Sequence, residues 1–283
     1  MKITLFNKEI NIKEHYCSCN KKEYLVESPY TNLYVQFKGC NAKCKFCEYS
    51  DCANTFNMDK FKNIIEELNN QIDVRKISLT GGEATINKHF YDVVDIVKNT
   101  NAFLVVNTNG SNLKEVHKRG YIEKFDSIAL SRHHFDDDIN NEILGLKSIS
   151  TEDLKDMKLK NLHLTCNLQK DFIHNKETIY KYLEYVSSMN YDDVGFVSLM
   201  QINDFAKEQF VDFETIDLES ETYHKMTEWR NKDSCKCNNY LYIAEENVVK
   251  VYSRYFMKAT EFVSSLIFDG ENLKTGFNGE ILI

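Results

Sequence analysis

Apolar residues in the middle of the chain follow two alternating patterns. Short runs rich in β-branched and aromatic residues, the first at 32–37, alternate with segments whose apolar residues recur every three or four positions, such as Met58, Phe61, Ile65 and Leu68. The first pattern is typical of strands and the second of amphipathic helices. Their alternation predicts an α/β fold made of βα units around a parallel sheet.

Six such units fit between residues 31 and 203. The predicted strands are 32–37, 76–80, 102–107, 126–131, 161–167 and 194–200. The helix signals between them are apolar stripes and capping residues, namely Asn87 before the stripe Phe90, Val93, Val94 and Val97, a helix at 111–119 ended by Gly120, the capping pair Ser150 and Asp153, and the stripe Ile179, Tyr182, Leu183 and Val186.

The segments on either side have a different pattern. Residues 1–30 predict a short hairpin, 204–231 is charged and irregular, and 240–255 and 262–281 predict two hairpins, the second turned by Asp269-Gly270. We therefore expect three parts: a β extension at 1–30, the βα region at 31–203 and a β-rich cap at 204–283. Pro29 is the only proline, which favours one compact body.

Composition excludes several classes of protein. The 283 residues are 42% hydrophobic, enough for one sizeable core, yet no stretch has the roughly 18 consecutive apolar residues of a membrane helix. We expect a cytoplasmic protein without a membrane partner. The net charge of -8 makes a broad nucleic-acid-binding surface improbable, because such surfaces depend on Lys and Arg.

The nine cysteines are clustered, which indicates metal binding more than a disulfide framework. Cys40, Cys44 and Cys47 lie on one loop directly after the first predicted strand. Three thiolates can hold three corners of a cubane [4Fe-4S] cluster, and one iron then stays open because a fully protein-ligated cluster uses four cysteines. A structural zinc loop is the alternative, although zinc sites favour two separate cysteine pairs.

Residues 31–203 resemble the radical S-adenosylmethionine (radical SAM) superfamily. The resemblance depends on Cys40, Cys44 and Cys47, on the aromatic Phe46 before the last cysteine, and on Leu79-Thr80-Gly81-Gly82-Glu83 after the second predicted strand. Family members commonly have proline after the Gly-Gly-Glu, where this chain has Ala84.

The resemblance implies a partial (β/α)6 TIM-like barrel with its active site at the carboxyl ends of the strands. It implies a [4Fe-4S] cluster and S-adenosylmethionine as cofactors, with a flavodoxin- or ferredoxin-like electron donor. Reductive cleavage of S-adenosylmethionine would yield a 5′-deoxyadenosyl radical that abstracts hydrogen from a small-molecule substrate. Phe46 would pack against the adenine, and Gly81, Gly82 and Glu83 would face the amino group of S-adenosylmethionine.

Polar residues at the other strand ends complete the predicted site. By the same resemblance we expect cofactor contacts from the residues Asn107, Ser131, Arg132, Asn167 and Gln201. Arg132 could hold a carboxylate in a bidentate fork, and Arg132, His133 and His134 are candidates for a catalytic role. For the two histidines the alternative is a surface pair beside the acidic residues 136–138, and Cys166 is expected to be a buried small hydrophobe.

Two cysteine pairs lie outside the βα region. Cys17 and Cys19 precede it, and Cys235 and Cys237 follow it. Their four thiols could hold an auxiliary iron-sulfur cluster or a zinc ion if the two additions meet, and free thiols are the alternative.

Four hypotheses remain for the function. The first is a lyase or rearrangement on a small polar substrate, specifically a 7-deazaguanine- or queuine-type base, because Phe37-x-Gly39-Cys40-Asn41 resembles the loop of 7-deazaguanine-forming enzymes. The second is a peptide-modifying maturase with an auxiliary cluster. The third, of another class, is a non-catalytic metal-binding protein. The fourth is activation of a glycyl-radical partner, although the 39 residues before the cysteine motif argue against it.

Overall fold

The strands of the computed structural model include all six of the predicted central ones. The structure describes residues 2–12, 15–16, 24–25, 30–48, 55–226, 239–244, 247–254, 265–276 and 279–283. The strands in chain order are β1 Lys2–Leu5, β2 Lys8–Asn11, β3 His15–Tyr16, β4 Tyr24–Leu25, β5 Tyr30–Phe37, β6 Asp73–Gly81, β7 Phe103–Thr108, β8 Ser127–Ser131, β9 Leu162–Leu168, β10 Asp193–Ser198, β11 Tyr223–Met226, β12 Asn239–Ile243, β13 Val248–Arg254, β14 Ser265–Phe268 and β15 Leu273–Lys274.

One 11-stranded sheet organises the fold. Its order is β11-β12-β13-β10-β9-β8-β7-β6-β5-β14-β15, and the pairs from β13 through to β14 are all parallel. The predicted parallel α/β architecture is confirmed, and β5 to β10 form the partial (β/α)6 barrel. The strands β1 and β2 form the predicted N-terminal hairpin as a separate two-stranded sheet.

The C-terminal hairpins are more closely joined to the barrel than the predicted cap implies. Both form, but β13 pairs in parallel with β10 at one edge of the sheet, whereas β14 pairs in parallel with β5 at the other. The division into three parts at 30/31 and 203/204 stays a prediction, and the sheet itself runs across the second of these boundaries.

Helices cover the sheet between successive strands. They are α1 Met58–Gln71, α2 Phe90–Lys98, α3 Leu113–Lys118, α4 Asp137–Leu144, α5 Thr151–Met157, α6 Lys176–Ser188 and α7 Asp204–Glu208, and single turns of 3-10 helix lie at Ala84–Ile86, Ile122–Lys124 and Phe213–Thr215. The predicted cap of α5 is present, because Ser150 accepts from the backbone N–H of Asp153. The helix α2 instead begins after His89, and Asn87 accepts a turn hydrogen bond from the N–H of His89.

The central strands have two unlike faces. The outer face packs on the helices with apolar side chains that are almost fully buried: Leu33, Val35, Phe37, Ile77, Leu79, Leu104, Val106, Ile128, Leu130, Leu164, Cys166, Val194 and Phe196. The ring of Phe196, for example, lies 5.5 Å from that of Tyr182 in α6. Side chains alternate along a strand, so the intervening residues form the inner face.

The inner face is rich in hydroxyl and amide groups. Towards the carboxyl ends of the strands it carries Gln36, Ser78, Thr80, Asn107, Asn109, Ser131, Thr165 and Asn167. Several of these, including Thr80, Asn107 and Asn167, are half-buried although their strands lie in the middle of the sheet. The inner face is therefore partly open to solvent, as a binding site requires. Among the described helices, none is both long and apolar enough to cross a membrane.

Candidate active site at the carboxyl ends of the strands

The cysteine loop follows β5 directly and is held from two sides. Lys43 donates its backbone N–H to the carbonyl of Leu144 at the end of α4 (2.8 Å), and Glu83 donates its N–H to the carbonyl of Gly39 (3.0 Å). The loop residues Cys40, Cys44 and Cys47 form no disulfide bond and are half-buried. Three thiols thus stand on one short, anchored segment that ligands can reach.

The three sulfur atoms influence one another. Burial, together with the neighbouring Cys47 and Cys40, raises the pKa of the Cys44 thiol to about 12. Burial also raises the pKa of Cys40, against hydrogen bonds from the N–H of Ala42 and from Asn109 that lower it. Because ligation requires thiolates, metal loading must release these protons.

The number of thiols on the loop matches a cubane cluster with one open iron. Among the described residues, no three His, Cys, Asp or Glu side chains converge where one ion could sit. The irons of a cubane are separate corners, so each of three thiols can bind its own iron without converging. The second predicted site, at Cys17, Cys19, Cys235 and Cys237, lies outside the described residues.

The Gly-Gly-Glu turn packs against the backbone of the cysteine loop. A Cβ atom at Gly81, where φ is +107°, would lie 2.4 Å from the carbonyl oxygen of Phe37, and one at Gly82 would lie 1.9 Å from that of Gly39. The N–H of Gly82 donates to the Phe37 carbonyl at 2.7 Å. The missing Cβ atoms are thus required by the chain itself, whatever approach they also permit to a cofactor.

The carboxylate of Glu83 is buried and surrounded by neutral donors. Its Oε1 accepts from the N–H (3.2 Å) and the hydroxyl (2.5 Å) of Thr85 and from the hydroxyl of Thr108 (2.8 Å), and its Oε2 accepts from the N–H of Asn109 (2.6 Å). Burial raises the pKa of Glu83, and these hydrogen bonds act in the opposite direction. With four internal donors and 1% exposure, Glu83 joins the ends of β6 and β7; its predicted contact with a cofactor amino group stays a prediction.

Asn109 was not singled out from the sequence, yet it lies beside the first cysteine. Its Nδ2 donates to Oδ1 of Asn41 at 2.9 Å and lies 4.0 Å from Sγ of Cys40. Asn41 in turn donates to the hydroxyl of Ser111 at 2.9 Å. The only sequence signal for this arrangement is the polar run Thr108-Asn109-Gly110 at a predicted strand end, which does not show which residue meets the loop.

Arg132 and His133, adjacent after β8, point to opposite sides of the sheet. The guanidinium of Arg132 is 1% exposed, pairs with Asp137 at the start of α4 and lies over the ring of Tyr185 in α6. This outer position is at odds with the predicted carboxylate-binding role of Arg132, because the charge is already paired inside the helix layer. The ring of His133 lies instead edge-on to Phe46, with centroids 5.4 Å apart.

His133 is a buried neutral imidazole. Its Nδ1 accepts from the backbone N–H of Asn167 at 3.1 Å, which places the proton of the neutral ring on Nε2. Burial lowers the pKa of His133 to about 4, and the nearby charge of Arg132 contributes. His134 is also buried, and its Nδ1 accepts from the N–H of Asp136, so it stabilises the turn into α4 and is not one of a surface pair.

The remaining predicted contacts lie on the inner face or at its rim. Ser131 and Asn167 are half-buried, and neither side chain has a hydrogen-bond partner among the described residues. Asn107 donates to the carbonyl of Leu79 at 3.3 Å, and Gln201 is exposed just after β10. Ser131 and Asn167 are therefore the most available of this set to a ligand.

A comparison with family models bears on the central strands and the cysteine loop. Residues 34–162, from β5 to the start of β9, match the model of the Radical SAM superfamily. The chain contains a radical SAM domain. Enzymes of this superfamily use a [4Fe-4S] cluster and S-adenosylmethionine. The loop of three cysteines fits the cluster, and the open inner face beside Phe46 fits the second cofactor.

Radical SAM proteins with curated names include two relatives of this chain. A protein of Sulfolobus acidocaldarius named "Probable GTP 3',8-cyclase" is 26% identical over 229 residues, which cover 76% of this chain and 70% of that protein. A protein of Thermococcus kodakarensis with the same name is 27% identical over 129 residues, which cover 43% of this chain and 41% of that protein.

Among solved radical SAM structures, SuiB of Streptococcus suis has the same central fold. Its structure bound to S-adenosylmethionine gives a TM-score of 0.53 at 15% identity, over 64% of this chain and 43% of SuiB. The structure of SuiB bound to its precursor peptide SuiA gives a TM-score of 0.51 at 16% identity. At such low identity the likeness establishes the fold alone, and the chain spans less than half of SuiB.

Proposed function

We propose that this radical SAM enzyme cleaves S-adenosylmethionine reductively and abstracts hydrogen from a small polar substrate with a guanine-type ring. GTP and 7-deazaguanine- or queuine-type bases are the two substrate candidates, and a lyase or rearrangement is the proposed reaction class. The observation that carries the proposal is the polar, partly open inner face next to the cysteine loop. The names of the two relatives support the guanine-type ring.

The residues of the inner face suit a polar heterocycle. Neutral amide and hydroxyl groups such as those of Asn107, Ser131 and Asn167 can donate to ring carbonyls and accept from ring N–H groups. A site built from such groups discriminates strongly against substrates that leave them unpaired. His133 adds a neutral N–H donor beside Phe46, since its Nδ1 is already occupied.

Other residues would hold the cofactors. Cys40, Cys44 and Cys47 would bind the cluster, and Phe46 with Gly81, Gly82, Ser131 and Asn167 would line the S-adenosylmethionine site. When bound, the cluster and S-adenosylmethionine supply the one-electron chemistry that the side chains lack. The buried position of His133 and Glu83 keeps water from that side of the site. We propose a flavodoxin- or ferredoxin-like donor and a cytoplasmic location for this oxygen-sensitive chemistry.

The test is substrate-dependent formation of 5′-deoxyadenosine. Anaerobically reconstituted protein, reduced with dithionite, is given S-adenosylmethionine with GTP, guanosine or queuine, and with adenosine as the matched purine control. We expect 5′-deoxyadenosine to rise above the substrate-free level with one guanine-type compound and not with adenosine. If the amount of 5′-deoxyadenosine were the same with every compound as in the reaction without substrate, the guanine-type substrate would be refuted.

Iron and sulfide content tests the auxiliary site at Cys17, Cys19, Cys235 and Cys237. About four irons per chain after reconstitution means one cluster, and about eight means two. If the two pairs bind a cluster, the variant with serine at all four positions should contain about four irons per chain where the wild type contains about eight. A value of four in both proteins would refute an auxiliary iron-sulfur cluster.

A peptide substrate is the second candidate, favoured by an apolar rim. Met200 and Ile202, on either side of Gln201 after β10, are 45% and 43% exposed at the carboxyl end of the sheet. Such a rim could hold an apolar peptide segment while its polar group enters the site. Replacing both residues with serine should then abolish turnover of a peptide substrate, whereas turnover of a small base should be unchanged.

A further inference from the structure

A continuous set of hydrogen bonds leads from the buried Glu83 to the first cysteine of the loop. Glu83 accepts the backbone N–H of Asn109 at 2.6 Å, and the side chain of Asn109 lies against Asn41 and Cys40. Cys40 is a cluster ligand in the proposed function, whereas Asn109 contacts neither cofactor there. The side chain of Asn109 beside the Cys40 sulfur is therefore not accounted for by substrate or cofactor binding.

The backbone of Asn109 has little freedom. Its N–H is held by Glu83, and its carbonyl accepts from the hydroxyl of Ser148 at 2.5 Å. The residue is 7% exposed, and the next one, Gly110, has a φ of +81° and is crowded by Leu130. A carboxylate that is buried among neutral donors is costly, so the four hydrogen bonds of Glu83 indicate that holding this corner is its main task.

The carboxamide of Asn109 is oriented by its own hydrogen bonds. Its Oδ1 accepts from the N–H of Ser111 at 3.0 Å, which leaves Nδ2 as the group that faces the loop. Nδ2 lies 2.9 Å from Oδ1 of Asn41 and 4.0 Å from Sγ of Cys40. The N–H of Ala42, 3.3 Å from the same sulfur, is the second donor. Cys40 is thus approached by two N–H groups from different parts of the chain.

We propose that Asn109 is a positioning residue that donates a hydrogen bond to the Cys40 ligand and thereby raises the reduction potential of the cluster. The inference rests on the cluster of the proposed function but not on the substrate. Hydrogen bonds to cluster sulfurs are among the factors that set the potential. The positive end of an N–H dipole stabilises the reduced cluster, which carries one more negative charge, more than the oxidised one.

The test compares two variants of the reconstituted full chain. Asn109→Ser removes the carboxamide N–H but keeps an oxygen that can accept from the N–H of Ser111, whereas Ser111→Ala breaks the Asn41 hydrogen bond and leaves Asn109 intact. In redox titrations followed by electron paramagnetic resonance, we expect a more negative midpoint potential in Asn109→Ser and an unchanged one in Ser111→Ala. Equal potentials in Asn109→Ser and the wild type, at equal iron content, would overturn the inference.

A second measurement covers the case in which Asn109→Ser does not load a cluster. Wild-type protein labelled with ¹⁵N in asparagine is reduced, and pulsed electron paramagnetic resonance detects ¹⁵N nuclei coupled to the cluster. We expect a coupling from a side-chain amide that is lost in Glu83→Gln, because Glu83 fixes the corner. Its absence from the wild type would overturn the inference. A wild type without iron would instead count against the cluster itself, so the two failures are distinguishable.

Discussion

The two faces of the central sheet have the same strands and opposite compositions. The outer row, with Phe196 and Leu164 at 0% exposure, packs on helices, whereas the inner row, with Ser131 and Asn167, is polar and partly open. Arg132 and His133 show how sharp the boundary is, because these adjacent residues lie in different layers. The comparison teaches that position on the strand, more than residue type, separates stability from chemistry.

Cysteine makes the same point within one residue type. Burial alone raises the pKa of Cys166, which lies in the outer row. In the loop, the pKa of Cys44 is raised both by burial and by the other two cysteines. A thiol that is buried against helices behaves as a small apolar side chain, whereas a thiol beside two others on one loop is expected to bind metal.

The largest effect should follow loss of a loop cysteine. Cys44→Ser should abolish cluster binding and with it all reductive cleavage of S-adenosylmethionine, because the two remaining thiolates are too few to hold the cluster. The matched control is Cys166→Ser, which should keep the iron but lower the free energy of unfolding by about 2 kcal/mol, since it buries a hydroxyl in the outer row. Iron analysis and urea unfolding measure both. Loss of iron in Cys166→Ser would contradict the division between loop and outer row.

Truncation of an outer aromatic should cost stability and leave the site intact. Phe196→Ala removes a fully buried ring and should lower the free energy of unfolding by about 4 kcal/mol. Asn167→Ala, on the inner face of the neighbouring strand, should change it by less than about 1 kcal/mol and should weaken S-adenosylmethionine binding. Urea unfolding measures the loss of stability, and calorimetric titration measures S-adenosylmethionine binding. A larger loss of stability in Asn167→Ala than in Phe196→Ala would contradict the assignment of stability to the outer face.

The neutrality of His133 predicts a pH dependence of stability. Its pKa of about 4 in the folded protein lies below that of an unfolded histidine, so the unfolded chain binds more protons between about pH 4 and 6.5. The contribution is present in full above pH 6.5 and is lost as the pH falls towards 4, a change of about 3 kcal/mol.

The measurement is urea unfolding of the wild type and His133→Asn at pH 7 and pH 4.5. Asparagine keeps an acceptor for the N–H of Asn167, and comparison with the variant removes the contribution of other groups. The wild type should lose more stability on acidification than the variant. Parallel losses would show that the ring is protonated in the folded protein.

The smallest effect should come from the outer ion pair. Asp137→Asn leaves the buried guanidinium of Arg132 without its anion and should lower the free energy of unfolding by about 2 kcal/mol, less than for a fully buried pair because Asp137 is 37% exposed. S-adenosylmethionine affinity should not change. A marked fall in affinity in calorimetric titration would restore Arg132 to the cofactor site.

The sequence predicts the barrel well because its strands are long apolar runs and its helices have regular stripes. The four residues Ile179, Tyr182, Leu183 and Val186 are all buried in α6, as their spacing requires. The short α4 was not predicted, since only Ile139, Ile143 and Leu144 interrupt its polar residues. The strands β13 and β14 pair on opposite sides of the central strands. These are long-range contacts, which a local sequence pattern does not predict.

The site is predicted less completely than the barrel. The cysteine spacing and the Gly-Gly-Glu turn are local signals, so the sequence locates them correctly. Whether a polar residue at a strand end faces inwards depends on where the strand ends, and a shift of one residue exchanges the faces. That is why Arg132 was expected in the cofactor site and why Asn109 was expected only as part of a strand-end turn, without its contact to the cysteine loop.

The pairing of β14 with β5 has a consequence for how the chain matures. The strand that leads into the cysteine loop finds its outer neighbour, Leu266 beside Leu33, only near the other end of the sequence. During synthesis β5 therefore has an open edge until β14 has left the ribosome, and open edges recruit strands from other chains. Shortened versions that lack β14 should aggregate before they can acquire iron, so expression of the intact chain and late delivery of the metal would protect the oxygen-sensitive centre.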